Sequence, residues 1–392
     1  MNNFFKILLM RIFFITFFSL YALIHAYFFI KLKSAFNVSP LNQIFLAFFL
    51  LLMVFSPAII RISEKEGLET FAIVLSWIGY LWMAIIFLFL FFALITDIGR
   101  FLIFLISKVA GKDLSFLSVF GIKICSKKLY FIFPFVCAFL FVFYGYFEAR
   151  NIKIERITIE SDKVINNLRI VQISDVHIGL IIRKDRVKDI VEKIKSLEPD
   201  IVVSTGDLVD GQIDRLNSIA EILKELQPPF DKYAITGNHE FYAGINQALS
   251  FTEKSGFKIL RNKGVYIEKF NLNIVGVDDL EAIRFGFNPN ISEIDLLKNF
   301  QNGGYTVLLK HRPIINEQSR GFFDLQLSGH THKGQLFPFS IITALYYPKH
   351  AGCLKDINGC YLYISRGTGT WGPPVRIFAP PEITVIDIIR KF

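Results

Sequence analysis

The sequence predicts an all-α membrane bundle over residues 1–150, followed over residues 151–392 by an α/β domain of two packed β-sheets. Three observations lead there. Phe, Leu and Ile crowd the first part into runs long enough to cross a bilayer. After residue 150, short β-rich runs alternate with amphipathic stretches, and the later strand-like runs have few helices between them. Finally, five of the seven histidines fall in short motifs that follow such runs. The second part, about 240 residues long, is large enough to bury a core.

In the first part, residues 12–30, 41–60, 71–95 and 129–147 are bounded by Arg11 and Lys31, Pro40 and Arg61, Asp97, and Lys128 and Glu148. The first run is too long for a cleaved leader and no small-residue cleavage site follows it, so it is read as a retained span. Residues 98–128 mix apolar patches with Arg100, Lys108, Lys112 and Lys123, which predicts either an interfacial amphipathic segment or a short fifth span at residues 101–109. With four spans, the loops after spans one and three hold eight basic residues against seven on the other side. This leans toward an extracytoplasmic second domain in a multi-pass protein of the cell membrane. His25, within the first span, is read as facing a neighbouring helix or the interface.

Residues 1–150 carry 13 Lys/Arg against 6 Asp/Glu, and the remainder 30 against 28. The excess positive charge therefore flanks apolar spans, where anionic lipid meets it. It does not form a stripe on the second domain, which disfavours a nucleic-acid partner. Cys353 and Cys360 lie close together, open to pairing or to remaining two thiols; Cys125 and Cys137 lie at or in a span.

Within the second domain, Ile152, Ile154, Ile157 and Ile159 alternate as in an edge strand. Residues 168–174, 200–205 and 233–236 read as strands; residues 184–197 and 216–226 read as helices. Strand-like runs follow at 264–270, 272–277, 306–310, 324–328, 361–365 and 383–388.

The motifs are Asp175-Val176-His177, Gly206-Asp207-Leu208-Val209-Asp210, Gly237-Asn238-His239-Glu240, His311 and Gly329-His330-Thr331-His332. They follow the ends of strands, where open α/β sheets place their sites. A packed core needs none of them. A phosphate ester resists hydrolysis because its charge repels nucleophiles. Two divalent metals about 3.5–4 Å apart answer this by activating water to hydroxide and holding the phosphoryl oxygens. Such a pair needs a bridging carboxylate, for which Asp207 is suited, with imidazole and amide oxygen around it; that donor set suits Mn, Fe, Zn or Co.

In this order, the motifs resemble those of the calcineurin-like metallophosphoesterase superfamily over residues 165–390. Ser365 to Arg376, with Pro380-Pro381-Glu382-Ile383-Thr384 after it, looks like the bacterial branch carrying an N-terminal membrane anchor. The resemblance implies a metallophosphoesterase sandwich of two mixed β-sheets flanked by helices. It implies Asp175, His177, Asp207 and His332 around one metal, and Asp207, Asn238, His311 and His330 around the other. His239 would stabilise the phosphoryl group or protonate the leaving group. Asp210 would bond to backbone near the site, and Glu240 would support the ligands from outside.

Arg312 and Arg366 are open to binding a substrate phosphate or to forming salt bridges; His350 reads as a solvated loop residue. Residues 333–354 form an unusually apolar segment, rich in Phe, Ile, Leu and Tyr, directly after the last motif. It would dip into the bilayer, grip an acyl chain, fold back as a lid or pack on a sheet. The expected activity is metal-dependent hydrolysis of a phosphoester, on a phospholipid, a lipid-linked sugar phosphate or pyrophosphate, or an envelope polymer. UDP-diacylglucosamine pyrophosphatase activity is one variant within the family resembled. The rival reading is a transporter or sensor regulated by its phosphoesterase-like domain, against which stands the scarcity of ionisable groups in the spans.

Overall fold

The structure, a computed structural model, describes residues 3–111, 118–119, 122–123, 126–213, 216–287, 289–347, 351–357 and 359–392. His350 and Cys125 lie outside the described residues. The chain divides into two compact units, Met1–Gly145 and Tyr146–Phe392.

The first unit holds α1 (Asn3–Ala35), α2 (Pro40–Lys65), α3 (Glu69–Ala110) and a short hairpin of β1 (Ser118–Val119) and β2 (Ile122–Lys123). α4 (Leu129–Arg150) begins there and ends in the second unit. All four helices are long and apolar enough to cross a membrane. Ser39 caps α2 by accepting the Asn42 N–H, with Pro40 in the first helical position. A Cβ on Gly79 would lie 2.7 Å from Ser56 Oγ, so the glycine lets α3 approach α2 closely.

At one level of the bundle a polar knot joins three helices. Lys31 Nζ donates to Asp97 Oδ1 at 2.6 Å and to the Tyr130 carbonyl at 3.3 Å, while the Tyr27 hydroxyl donates to Asp97 Oδ2 at 2.6 Å. Trp82 Nε1 can only donate, so His25 Nε2 accepts from it at 2.9 Å and His25 Nδ1 donates to the Tyr21 carbonyl at 2.7 Å. His25 thus faces a neighbouring helix, as expected.

The expectation for residues 98–128 needs correction. Through Ala110 they are neither a separate span nor a separate interfacial segment but the continuation of α3, which runs unbroken for 42 residues to a left-handed cap at Gly111. At 1.5 Å per residue such a helix is about 63 Å long, roughly twice the hydrocarbon thickness of a bilayer.

The second unit is built from two mixed six-stranded sheets. In one, β3 (Lys153–Ser161) is the edge strand anticipated from its alternating isoleucines. It pairs with β14 (Glu382–Arg390), beyond which lie β4 (Leu168–Ile173), β5 (Ile201–Ser204), β6 (Lys232–Ala234) and β7 (Lys258–Ile259). β4 to β7 run parallel, and β14 is antiparallel to β4. The other sheet has the order β12 (Leu354–Asp356), β13 (Tyr361–Ile364), β11 (Leu325–Ser328), β10 (Tyr305–Leu309), β9 (Leu272–Gly276) and β8 (Lys263–Ile267). Its four inner strands are parallel and its two edges antiparallel.

The period-two alternation decides which core each side chain joins. Ile170, Ile201 and Val203 pack between the sheets with Leu272, Ile274, Val307, Leu309, Leu325 and Leu327. Val171, Ile173 and Val202 face the other way, onto helices. α5 (Lys184–Ser196) meets them with Val187, Ile190, Val191 and Ile194, an i, i+3, i+4, i+7 stripe, beside α6 (Asn217–Lys224).

The remaining helices are short: α7 (Asn238–Ala243), α8 (Ile245–Lys254), α9 (Glu281–Arg284), α10 (Glu293–Lys298) and α11 (Phe339–Tyr346). α10 covers the outer face of the second sheet through Leu296 and Leu297. Cys353 is exposed with a free thiol, so the Cys353–Cys360 bridge left open by the sequence is not formed.

Candidate metal centre

Five parallel strands deliver the motif residues. Asp175 and His177 follow β4, Asp207 follows β5, and Asn238 and His239 follow β6; His311 follows β10, and His330 and His332 follow β11. The site therefore lies where the C-terminal ends of the two sheets converge. Asp175, His177, Asp207, His330 and His332 all have positive φ, between 46° and 69°. That left-handed backbone costs a non-glycine residue about 1–3 kcal/mol and persists where the surroundings over-determine it, as at functional sites.

The motif glycines permit the crowding. A Cβ on Gly237 would sit 2.2 Å from Asp207 Oδ1, and one on Gly329 1.9 Å from Ser174 Oγ and 2.2 Å from Asp175 Oδ2.

Two nests of donor atoms result, with a third group, His177, Asp210 and His239, that shares His177 with the first. Asp175, His177 and His332 place ligand atoms within 4.8 Å of one another, with His177 Nε2 3.0 Å from His332 Nε2 and His332 Nε2 3.3 Å from Asp175 Oδ1. Asp207, His311 and His330 form the second, with His330 Nδ1 3.2 Å from His311 Nε2 and Asn238 Oδ1 3.2 Å from the same nitrogen. Asp207 Oδ2 stands 3.8 Å from His177 Nε2 and 3.3 Å from His311 Nε2, so one oxygen faces both nests. The side chains of all seven anticipated residues are brought together here. The donor set, four imidazoles, two carboxylates and an amide oxygen on a strained, close-packed backbone, fits two adjacent divalent metals of intermediate hardness.

Supporting bonds orient the donors. His311 Nδ1 donates to the Thr205 carbonyl at 2.8 Å, turning Nε2 into the site. The Ser174 hydroxyl donates to Asp175 Oδ2 at 2.5 Å, and the His330 N–H reaches both Asp175 oxygens at 3.0 Å. The buried Glu240 carboxylate accepts the N–H groups of Asp207 at 3.0 Å, Leu208 at 2.7 Å and Gly237 at 2.7 Å, riveting two motif loops together as expected of a supporting residue. Arg376, fully buried, was not singled out for a role. Its guanidinium donates to the carbonyls of Arg366, Gly369 and Ala379, and lies 3.1 Å from His332 Nδ1. No residue type in its stretch signals this, because its partners are backbone atoms.

Burial lowers His177 and His330 to about 3, helped by His239 and His311 respectively, leaving both imidazoles neutral with lone pairs to offer. For Asp207, burial opposes ionisation but His311 and His239 outweigh it and hold the carboxyl well below its usual range. For His239, burial likewise opposes charge, yet Asp207 and Asp210 push it up to about 9.

His239 stands beside the nests, its ring centroid 4.5 Å from that of His177. Asp210 has a side-chain partner that the sequence does not signal: its Oδ1 lies 3.1 Å from His239 Nδ1, so it orients and charges an imidazole. Proximity in the fold made that pair, 29 residues apart in sequence.

Both open arginines are committed to carboxylates. Arg312 pairs with Asp279 at 2.8 Å and Glu281 at 3.2 Å; Arg366 pairs with Glu155 and Glu382. The sequence reading also missed the aromatic rim. Trp371 and Tyr242, each more than half exposed, present rings to His239 with centroids 5.9 Å and 5.4 Å away, and Tyr347 lies against His330 at 5.6 Å.

Comparison with known proteins agrees with this geometry. The sequence pattern of the calcineurin-like phosphoesterases matches residues 168–334. An uncharacterized metallophosphoesterase of Aquifex aeolicus is 40% identical over 251 residues, 63% of this chain and 96% of that protein. One from Helicobacter pylori is 36% identical over 251 residues, 63% of this chain and 67% of that protein. A Danio rerio transmembrane protein with metallophosphoesterase domain is 34% identical over 232 residues, 57% of this chain and 53% of that one. With nearly the whole Aquifex protein matched and the motif residues assembled at converging strand ends, the chain belongs to the calcineurin-like metallophosphoesterase family.

Proposed function

We propose that this chain hydrolyses a lipid-borne or envelope-associated phosphoester at the surface of the cell membrane, with its catalytic domain outside the cytoplasm and two divalent metals, Mn, Fe or Zn, in the paired nests. The reading is carried by one observation: aromatic rings stand against the nests, exposed Trp371 and Tyr242 about His239 and half-buried Tyr347 about His330. An apolar rim of this kind suits a phosphoester attached to an apolar body. The four apolar helices of the same chain support a membrane setting.

Asp175, His177, Asp207 and His332 would hold one metal and Asp207, Asn238, His311 and His330 the other. Bound there, the pair supplies Lewis acidity to the phosphoryl oxygens and lowers the pKa of water. The protein's own groups do the rest. The His239 backbone N–H, 2.8 Å from Asp207 Oδ1, holds the carboxylate so that Oδ2 faces both nests. Asp210 keeps a proton on the His239 ring and turns Nε2 outward, toward the phosphoryl group or the leaving oxygen. Trp371 and Tyr242 flank that ring and limit water around the proton it carries.

Incubating a bacterial membrane lipid extract with purified full-length protein and manganese, followed by mass analysis of the products, tests the reading. Loss of one class of phosphoester with wild type but not with Asp207→Asn is expected. Consumption of a soluble aryl phosphodiester with no change in the lipid extract overturns the lipid assignment.

A further inference from the structure

Helix α11 has its faces reversed. Ile341, Ile342, Leu345 and Tyr346, spaced i, i+1, i+4, i+5, point away from the protein and are 56%, 49%, 78% and 81% exposed. The smaller or more polar Ser340, Thr343 and Ala344 take the partly covered side. A helix on a water-facing surface shows the opposite pattern. No charged residue lies within α11.

The helix is firmly placed. Leu336 bridges Ile377, the Phe337 N–H donates to the Ile377 carbonyl at 3.3 Å, and Gln335 binds the backbone of Trp371 and Pro373. Exposed Phe378 continues the same apolar ledge, its ring 6.0 Å from that of Phe337. Tyr347, the residue after α11, contacts His330, so the ledge is continuous with the metal centre.

What covers this ledge is indicated by its attachment. The Phe378 N–H donates to Glu148 Oε2 at 2.9 Å, and Arg186 donates to the carbonyls of Ala149 and Arg150 at 2.7 Å. Glu148, Ala149 and Arg150 form the last turn of α4, where its apolar run stops and charge begins. Exposed Arg150 and Lys153 follow, suited to anionic head groups.

We propose that α11 is an interfacial helix that sinks Ile341, Ile342, Leu345 and Tyr346 into the bilayer surface, presenting the metal centre to phosphate groups at head-group depth. The contact is with lipid and holds for whichever phosphoester is hydrolysed, so it stands or falls apart from the substrate proposed above.

The test uses the full-length chain with Cys353→Ser, reconstituted into phosphatidylcholine–phosphatidylglycerol vesicles. An environment-sensitive fluorophore is attached at Leu345→Cys, at Ile342→Cys, or at exposed Glu253→Cys on α8. Hydrolysis of a soluble aryl phosphodiester verifies that each labelled protein is folded. Nitroxide-bearing lipids are expected to quench the labels at 345 and 342 severalfold more than the label at 253. Equal quenching at the three positions overturns the proposal, as does a label at 345 and 342 that lipid quenchers do not reach, whether water or protein surrounds it. Neither readout needs a lipid substrate to be turned over.

Discussion

Asp207 divides its two oxygens: Oδ1 accepts the His239 backbone N–H at 2.8 Å, while Oδ2 lies within 3.8 Å of imidazole nitrogens from both nests. A carboxylate held in this way turns a single oxygen toward both nests. Asp207→Asn removes the carboxylate charge while keeping the volume. Manganese-stimulated hydrolysis of an aryl phosphodiester is expected to vanish with the far-ultraviolet dichroism unchanged; persistent turnover would contradict the bridging assignment.

His239 lies beside the nests and is joined to Asp210. His239→Ala is expected to leave bound metal unchanged and to slow turnover by roughly 10²–10⁴, the range for a lost general acid. Elemental analysis of the purified variant is the check, since loss of metal would make the imidazole a ligand.

Glu240 is acceptor-only when ionised, and it satisfies the N–H groups of Asp207, Leu208 and Gly237. Glu240→Gln turns a donor toward N–H groups that need an acceptor. Stability is expected to fall by about 1–3 kcal/mol, with weakened metal retention. Denaturant titration of the metal-loaded variant, alongside competition with a chelator, measures both; unchanged values would mean the loops hold each other without it.

Arg376 supplies donors to the carbonyls of Arg366, Gly367, Gly369 and Ala379 and reaches His332. Arg376→Lys keeps the charge but replaces a planar fork of five N–H donors with three on one atom. A loss of about 1–3 kcal/mol is expected from the unmet carbonyls. Thermal unfolding of the variant decides it, and a melting temperature equal to wild type would show that lysine satisfies the same groups.

Much of this was legible in the sequence for a local reason. The strands after residue 150 carry β-rich apolar runs, and α5 carries a clean helical stripe, so their type follows from side-chain period alone. The motif residues stood out because buried Asp, Asn and His have no place in an apolar core unless they are partnered. Residues 98–110 continue α3 although the charges at Arg100 and Lys108 resemble a boundary, because a helix runs on wherever its backbone remains satisfied. The short helices α7, α9 and α11 left too few residues for a period to declare itself.

By itself the sequence determined the kinds of element, the two-part organisation and the chemical inventory of the metal centre, since these depend on local periodicity and on which side chains can carry which atoms. Only the tertiary structure decided which atoms meet. His330 reaches Asp175 across 155 positions because β4 and β11 end at the same place in facing sheets. Asp210 finds His239, Arg376 finds backbone carbonyls, and α11 turns its large apolar side chains outward, through packing that no run of neighbouring residues encodes.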